Sequence, residues 1–260
     1  MLVVMDVGNT QTVIGIYGED APEMLDHWRT ATNPERTSDE YALLLGQFLD
    51  LGGYDIDDDV TGLAVSSTVP RVTAAIEEMS NRHLGFRALI LGGAGVRSGM
   101  PILYENPREV GPDRIADAVG AYDLYGGPTI VIDFGTATTV EAVSGKGEYL
   151  GGAICPGIEI SLDALFSRAA SLHRVALAEP RNVIGKTTNE SIQSGVLYGY
   201  AAMVDGLCER VEREIGDATV VATGGLAELI APYTKVIDHI EPWLTLQGLR
   251  IIFERNRTEK

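Results

Sequence analysis

The alternation of apolar and polar positions along the chain predicts strands and helices that follow one another repeatedly. Runs of branched apolar residues predict strands near 3–7, 13–17, 63–67, 89–91, 130–143, 148–154 and 218–223. Apolar positions at helical spacing predict helices near 38–51, 72–84, 108–125, 158–170, 189–214, 225–231 and 243–255. Strands that alternate with helices indicate layered α/β structure.

The pattern also repeats within the chain. Residues 3–13 can be laid over residues 130–140, and each segment reads as a buried strand, an Asp-x-Gly turn with small hydroxyl residues, and a second strand. The offset is about half the chain length, and no linker rich in Pro, Gly or Ser separates the halves. We therefore expect a duplicated α/β unit, with domains at 1–116 and 117–260 that face each other across a central cleft.

The two Asp-x-Gly turns are the strongest candidates for chemistry. A glycine at such a turn can take a positive φ, so that successive N–H groups and hydroxyls point into one concavity suited to phosphate oxygens. The carboxylates of Asp6 and Asp133 would lie where a cation bridging those oxygens would sit. One such hairpin is common in ordinary sheets, but a pair in matching halves indicates a nucleotide site.

Other segments are ambiguous when taken alone. Gly224-Gly225 fits either close approach of a ligand to the backbone or a plain turn between a strand and a helix. Asp113 could be a catalytic carboxylate or a helix cap, and Arg114 could be a ligand residue or an ion-pair partner. Residues 185–187 resemble the end of a P-loop, but Pro180 stands where that motif needs glycine, so they are not counted.

Composition narrows the class of protein. The formal net charge is −17, from 20 Lys and Arg against 37 Asp and Glu, which argues against nucleic acid as a partner. No apolar run is long enough for a membrane span, and the first residues do not resemble a signal peptide. Cys155 and Cys208 are isolated, so we expect reduced thiols and a cytoplasmic location. The acidic run 55–59 reads as solvated loop.

Six motifs in this order resemble the motif set of type III pantothenate kinases, a family related to acetate and sugar kinases, Hsp70 and actin. They are Asp6-Val7-Gly8-Asn9-Thr10, Gly111-Pro112-Asp113-Arg114, Asp133-Phe134-Gly135-Thr136-Ala137-Thr138, Gly151-Gly152-Ala153-Ile154-Cys155-Pro156-Gly157, Gly185-Lys186-Thr187-Thr188 and Gly224-Gly225. The resemblance extends over essentially the whole chain. It departs from the family at Pro112, where many members carry a small residue, and at Thr187, where Asn is frequent.

The resemblance implies two similar α/β domains of the duplicated ribonuclease H-like, actin-like ATPase fold. It implies ATP-dependent phosphorylation of pantothenate to 4′-phosphopantothenate, the first step of coenzyme A biosynthesis, with Asp113 as general base. ATP with Mg²⁺ would contact a set of turn residues: Asp6, Val7, Gly8, Asn9, Thr10, Gln11, Thr12, Val13 and Thr136. Pantothenate would contact Tyr104, Gly111, Pro112, Asp113, Arg114 and Thr188. Asp133 would bind a monovalent cation, K⁺ or NH₄⁺, and the family implies a homodimer with the substrate site near the subunit interface.

Two alternatives remain at this point. A regulatory relative could keep the fold and bind nucleotide without turnover, as some chains resembling this family are treated as transcriptional accessory factors. Another enzyme of the superfamily, such as a sugar kinase or a phosphatase acting on polyphosphate, is the second. The Asp6, Asp113 and Asp133 set favours catalysis, because a binding protein need not retain all three carboxylates.

Overall fold

The computed structural model describes residues 1–19, 21–169 and 172–258. The chain forms two compact units, each with one five-stranded sheet. Unit 1 consists of Met1–Pro101, Glu105–Gly120 and the chain from Leu244 onward, and unit 2 consists of Ile102–Tyr104 and Ala121–Trp243. The predicted domains, 1–116 and 117–260, placed the C-terminal segment in the second half, whereas its contacts group it with unit 1.

Unit 1 has a mixed sheet in the order β3-β2-β1-β4-β5. Its strands are β1 (Leu2–Val7), β2 (Gln11–Tyr17), β3 (Met24–Ala31), β4 (Gly62–Ser67) and β5 (Leu89–Ile90). Its helices are α1 (Ser38–Gly52), α2 (Ile56–Asp59), α3 (Pro70–Met79) and α4 (Pro112–Tyr125). A π-helical turn at Ser80–Leu84 follows α3, and a 3-10 turn at Pro107–Glu109 precedes α4. The last residues of α4 belong to unit 2. The last helix of the chain, Leu244–Thr258, also belongs to unit 1.

Packing in unit 1 follows the alternation of side chains along β1. Val3, Met5 and Val7 face a core formed with α1 and α3. Because successive side chains point to opposite faces of a sheet, Asp6 lies on the other face. The C-terminal helix contacts β1, β2 and β4, and Phe253 lies where a side chain at Gly62 would have to go.

Unit 2 has a mixed sheet in the order β10-β9-β6-β7-β8. Its strands are β6 (Thr129–Phe134), β7 (Ala137–Val143), β8 (Tyr149–Pro156), β9 (Thr219–Thr223) and β10 (His239–Ile240). Its helices are α5 (Ile158–Arg168), α6 (Thr188–Ile215) and α7 (Ala227–Ile230), with a 3-10 turn at Ala231–Tyr233, so the C-terminal helix Leu244–Thr258 is α8. Ile130, Ile132 and Phe134 of β6 pack into a core with α5 and α6.

The two sheets have the same topology. In each, the first strand pairs antiparallel with the second, the second pairs antiparallel with the third, and two parallel strands follow on the opposite side of the first. Strands β1 to β5 therefore correspond in order to β6 to β10. This correspondence confirms the duplication predicted from the Asp-x-Gly repeat and the predicted α/β fold class.

Several local predictions were wrong. Strand β3 was not predicted, because it lies at the edge of the sheet and none of its residues is buried, so its apolar and polar positions alternate only weakly. The acidic run predicted as loop contains α2, for which the Asp55 side chain accepts hydrogen bonds from the N–H groups of Asp57 and Asp58. The helix predicted at 108–125 begins at Pro112, after the 3-10 turn.

Within the part of the chain that the structure describes, no helix combines the length and the apolar character needed to cross a bilayer.

Candidate functional site

The first Asp-x-Gly turn joins β1 to β2. Asn9, Thr10 and Gln11 at its tip are exposed, while Val7 and Thr12 at its base are buried. The Gly8 N–H donates to the Gln11 carbonyl at 3.0 Å, which closes the turn. Val13 pairs with Asp6 across the hairpin, so every residue expected to contact ATP in this half belongs to one rigid hairpin.

Neighbouring segments hold this turn in place. The Thr32 hydroxyl donates to the Gly8 carbonyl at 2.7 Å, and the Thr32 N–H donates to the Thr10 carbonyl at 3.0 Å. Thr32 and Thr12 share a hydrogen bond at 2.9 Å. On the other side, the Thr68 N–H donates to the Val7 carbonyl at 3.1 Å. Sequence reasoning missed Thr32 because β3, which delivers it, was not predicted.

The carboxyl of Asp6 is half-buried at the end of β1. Its pKa is raised to about 7, chiefly by burial and also by the charge of Asp113, while a hydrogen bond with the Ser66 side chain acts in the opposite direction. The effect of Asp113 means that the two carboxyls lie within electrostatic reach of each other. Unit 1 therefore brings together two of the three aspartates singled out in the sequence, although they are far apart along the chain.

Asp113 lies in the first turn of α4. Pro112 occupies the first helical position, which favours proline because its missing N–H has no intrahelical partner there. The Asp113 carboxylate accepts a hydrogen bond from the Arg114 N–H at 2.9 Å. A Cβ on Gly111 would lie 2.3 Å from the Asp113 Oδ1. Glycine at position 111 is therefore needed for this orientation of the carboxylate.

The Arg114 side chain is buried, with 8% of its surface exposed. A guanidinium ion in such a position is costly unless it is compensated, so Arg114 is not an ordinary surface ion-pair residue. This finding removes the surface alternative that the sequence left open for this residue.

The second Asp-x-Gly turn joins β6 to β7 in unit 2. Asp133 pairs with Thr139, whereas Asp6 pairs with Val13, so the second turn is one residue shorter than the first. The ungapped superposition of 3–13 on 130–140 is therefore one residue out of register beyond the turn. The Gly135 N–H donates to the Ala137 carbonyl at 3.1 Å, and Thr136 is exposed at the tip.

Two glycines from the other motifs pack directly on this second turn. The Gly157 N–H donates to the Thr136 carbonyl at 3.1 Å, and a Cβ on Gly157 would lie 2.2 Å from the same oxygen. Gly224 has a φ of +89°, and its Cβ would lie 2.3 Å from the Asp133 Oδ1. Glycine is thus required at position 224, because a side chain there would collide with Asp133. A Cβ on Gly225 would meet open space.

The hydroxyl groups around Asp133 are also distinctive. The Oγ1 atoms of Thr138 and Thr139 are buried and have no hydrogen-bond partner among the described residues. Thr139 pairs directly with Asp133 across the hairpin, so its side chain lies on the same face of the sheet as the carboxylate. Nothing in the sequence distinguished this hydroxyl from those of ordinary strand residues.

The remaining predicted substrate residues lie at two places in unit 2. Tyr104 is half-buried against β8, with its ring centroid 6.4 Å from that of Tyr149. Thr188 is the exposed first residue of α6, and Thr187 caps that helix by accepting a hydrogen bond from the Glu190 N–H at 3.2 Å. The segment that resembled a P-loop is therefore a helix cap. An asparagine at position 187 would cap the helix equally well.

Thr188 also lines a cavity of about 430 Å³ between α5 and α6. The cavity is mainly apolar, and its other lining residues are Ser161, Leu162, Leu165, Leu172, Ser191, Ile192, Gly195 and Val196. In the described part of the chain, no group of three or more His, Cys, Asp or Glu side chains is arranged to hold a metal ion.

Comparison with solved structures places this fold among known ones. A conserved protein from Campylobacter jejuni assigned to the Baf family of transcriptional activators superposes with a TM-score of 0.61 at 18% identity, over 98% of this chain and 99% of that one. An inorganic polyphosphate/ATP-glucomannokinase from Arthrobacter sp. strain KM superposes with a TM-score of 0.52 at 13% identity, over 100% and 99% of the two chains. At such low identities these similarities establish the fold alone.

Comparison with protein sequences goes further. A family model described as type III pantothenate kinase matches residues 2–210. Proteins named type III pantothenate kinase from Anaeromyxobacter sp. (strain Fw109-5) and Myxococcus xanthus (strain DK1622) are 53% and 52% identical to this chain. These matches cover 99% and 98% of this chain, and 100% and 99% of the two relatives. Because the match is this close and extends over the full length, the chain belongs to the type III pantothenate kinase family.

Proposed function

We propose that this protein transfers the γ-phosphoryl group of ATP to the primary hydroxyl of pantothenate, giving 4′-phosphopantothenate and ADP. The observation that supports this most directly is the proximity of Asp113 to Asp6 in unit 1. A carboxylate beside a phosphate-binding turn is where an acceptor hydroxyl would meet the γ-phosphate. The family membership supplies the identity of the acceptor.

In this proposal the β1–β2 turn of unit 1 holds the phosphates of Mg²⁺-bound ATP, and Thr136 is the ATP contact proposed for unit 2. Phosphoryl transfer depends on positioning and on neutralising charge, which turn N–H groups and hydroxyls provide. Asp113 orients the attacking hydroxyl and accepts its proton late in the transfer, when the hydroxyl has become acidic. Gly111 keeps the carboxylate in position, because a side chain there would displace it.

The proposed contacts of pantothenate are the segment 111–114 in unit 1, and Tyr104 and Thr188 in unit 2. Arg114 supplies a buried positive charge that can pair with the substrate carboxylate or with a phosphate. Pantothenate is an anion, so such a charge also explains how a protein with a net charge of −17 would bind it.

The residues around Asp133 fit a monovalent cation. Such ions prefer oxygen ligands, and the carboxylate of Asp133 lies beside the buried, unpartnered hydroxyl of Thr139. Bound there, K⁺ or NH₄⁺ would offset repulsion between the carboxylate and the phosphates of ATP. Asp133 and Thr139 would hold the ion.

We further propose that the protein is a homodimer formed through unit 2. Several large apolar side chains there are exposed, on β8, α5 and the segment before α6: Ile154, Ile160, Leu165, Val183 and Ile184. Exposed apolar residues in this density are typical of protein interfaces. Thr188, next to this region, would then lie close to the partner subunit.

The experiment that tests the activity is a coupled assay of ADP release with ATP and Mg²⁺, with and without pantothenate, in K⁺ and in Na⁺ buffer. We expect release that requires both pantothenate and K⁺. Release that requires pantothenate but is equal in both buffers would refute the cation site and leave the kinase. No release from folded protein in any buffer would favour a nucleotide-binding regulatory role.

A further inference from the structure

Unit 2 contains a buried carboxylate for which the proposed reaction has no role. Glu141, in the middle of β7, is only 1% exposed, and the fully buried Tyr149 donates a hydrogen bond from its hydroxyl to the Glu141 carboxylate. A buried carboxylate is costly unless it is well bonded, so a sheet would ordinarily carry an apolar residue here. The pair therefore calls for a physical explanation.

A β-bulge is what brings the two side chains together. Glu141 pairs with Gly152 and Ala142 with Gly151, but Val143 pairs with Tyr149, so Leu150 is an extra residue in β8. In a regular ladder Tyr149 would point to the face opposite Glu141, because side chains alternate along a strand. The bulge turns the ring to the same face as Glu141, and bulges commonly redirect side chains next to functional sites.

The two glycines that follow make room for this arrangement. A Cβ on Gly152 would lie 2.7 Å from the Glu141 Oε2 and 2.0 Å from the Val140 carbonyl oxygen. Gly151 has a φ of +120°, and its Cβ would lie 3.3 Å from the Tyr104 ring. The lack of a side chain at Gly152 therefore leaves room for the Glu141 carboxylate, and the lack of one at Gly151 leaves room for the ring of Tyr104.

Tyr104 is attached to the same bulged strand. The Leu103 N–H donates to the Tyr149 carbonyl at 2.8 Å, and Ile102 forms a parallel bridge with Tyr149. The ring planes of Tyr104 and Tyr149 are inclined at 52°. Both the backbone before Tyr104 and its ring thus depend on the position of Tyr149, which in turn is held by Glu141.

We propose that Glu141 and Tyr149 are positioning residues that fix the Tyr104 ring for binding of pantothenate. The inference rests on the proposed placement of Tyr104 in the pantothenate site. Glu141 and Tyr149 touch neither substrate and act through Tyr104. Their loss weakens recognition of pantothenate and leaves recognition of ATP unchanged, since the nucleotide contacts belong to other residues.

The test uses two variants that break the same bond from opposite sides, Tyr149→Phe and Glu141→Leu. For each we expect KM for pantothenate to rise about ten- to a hundredfold, because a misplacement of about 1 Å can cost up to about 10²-fold. KM for ATP should stay within about twofold of wild type. Glu141→Gln keeps an acceptor oxygen for the Tyr149 hydroxyl and should restore KM for pantothenate to nearly the wild-type value.

The chain offers a matched control in Tyr125, whose hydroxyl donates to Glu241 in the same unit. Tyr125→Phe removes a bond of the same kind at a place without contact to Tyr104 and should leave both KM values unchanged. Melting temperatures of all variants show whether they are folded. A rise in KM for pantothenate in Tyr125→Phe equal to that in Tyr149→Phe would mean a general loss of stability and would overturn the inference.

A double-mutant cycle with Tyr104→Leu distinguishes the positioning role of Tyr149 from the assignment of Tyr104 to the pantothenate site. If Tyr149 acts through Tyr104, the double variant has the same KM for pantothenate as Tyr104→Leu alone. Additive effects, or an unchanged KM in both Tyr149→Phe and Glu141→Leu, would overturn the positioning role. An unchanged KM in Tyr104→Leu would instead refute the assignment of Tyr104 to the pantothenate site, and with it the inference, while turnover of pantothenate by the wild type would still stand.

Discussion

Asp6 and Asp113 show how two carboxyls close together in unit 1 can differ in environment. Asp6 ends a buried strand and has its pKa raised to about 7 by burial and by the charge of Asp113. Asp113 begins a helix, where its carboxylate accepts a backbone hydrogen bond. The two carboxyls therefore differ in burial and in hydrogen bonding, although they lie within electrostatic reach of each other.

The raised pKa of Asp6 predicts a pH dependence of stability. With an ordinary value of 3.8 in the unfolded chain and about 7 in the folded chain, the folded state binds more protons between these values. The contribution of Asp6 to the free energy of unfolding should therefore be largest below pH 4 and should fall as the pH rises to about 7. The total loss is at most about 4 kcal/mol, from a shift of about three pKa units.

Asp6→Asn has no carboxyl at this position, so its stability does not fall in this way as the pH rises. Its free energy of unfolding should therefore exceed that of wild type at pH 8 but not at pH 4. Urea unfolding at the two pH values measures the difference. Asp50→Asn changes an exposed carboxyl on α1 and is the control. A stability difference between Asp6→Asn and wild type that does not change with pH would contradict the raised pKa.

The proposed base role of Asp113 gives a second prediction at this scale. Asp113→Asn should lower kcat by about 10²- to 10⁴-fold, the usual contribution of a general base. ATP affinity, measured by calorimetry, should change little, because the proposal assigns the phosphates to the β1–β2 turn. Asp123→Asn, on an exposed position of the same helix, should keep wild-type turnover. A kcat of Asp113→Asn within threefold of wild type would exclude the base role.

The elements of this fold are specified by local chemistry to different degrees. Helix α1 begins with a full capping box, in which Thr37 and Glu40 bond each other's backbone N–H groups. Helix α6 begins with Thr187 as its cap, and Glu190 accepts a hydrogen bond from the Lys186 N–H at 3.0 Å. These signals stand in the sequence, and the helices were predicted. Strand β3 has no comparable local signal and is formed by pairing with β2.

The cap of α6 can be tested directly. Thr187→Ala should lower the free energy of unfolding by about 1 kcal/mol, the usual effect of losing a cap hydroxyl. Thr187→Ser and Thr187→Asn keep a capping oxygen and should be close to wild type in denaturant unfolding. Equal destabilisation in all three variants would mean that the threonine methyl group, and not the cap, is what the protein needs at this position.

At the scale of the whole molecule, the duplication accounts for the two equivalent turns. Sheets of the same topology each place an Asp-x-Gly turn after their first strand. The copies differ in their surroundings, since the first turn lies near Asp113 and the second is covered by Gly157 and Gly224.

The proposed dimer is tested at the same scale. Wild type should have a mass in solution near twice 27.9 kDa by light scattering coupled to size exclusion. Ile184 is 73% exposed before α6, and Ile184→Glu should shift the protein toward monomer because it buries a charge in an apolar interface. Leu51→Glu alters a residue 78% exposed on α1 of unit 1 and should leave the mass unchanged. A wild-type monomer at micromolar concentration would refute the proposal.

The sequence by itself determined the α/β class, the duplication, and most helices and strands, and it supplied the proposed residues of the candidate site. It could do so because apolar periodicity and glycine turns report on local backbone geometry, and because the motif order is specific. Only the tertiary structure decided that α8 packs on unit 1, that the second turn is one residue shorter, and that a bulge turns Tyr149 toward Glu141. These features depend on strand register and on contacts between residues distant along the chain, which no local pattern encodes.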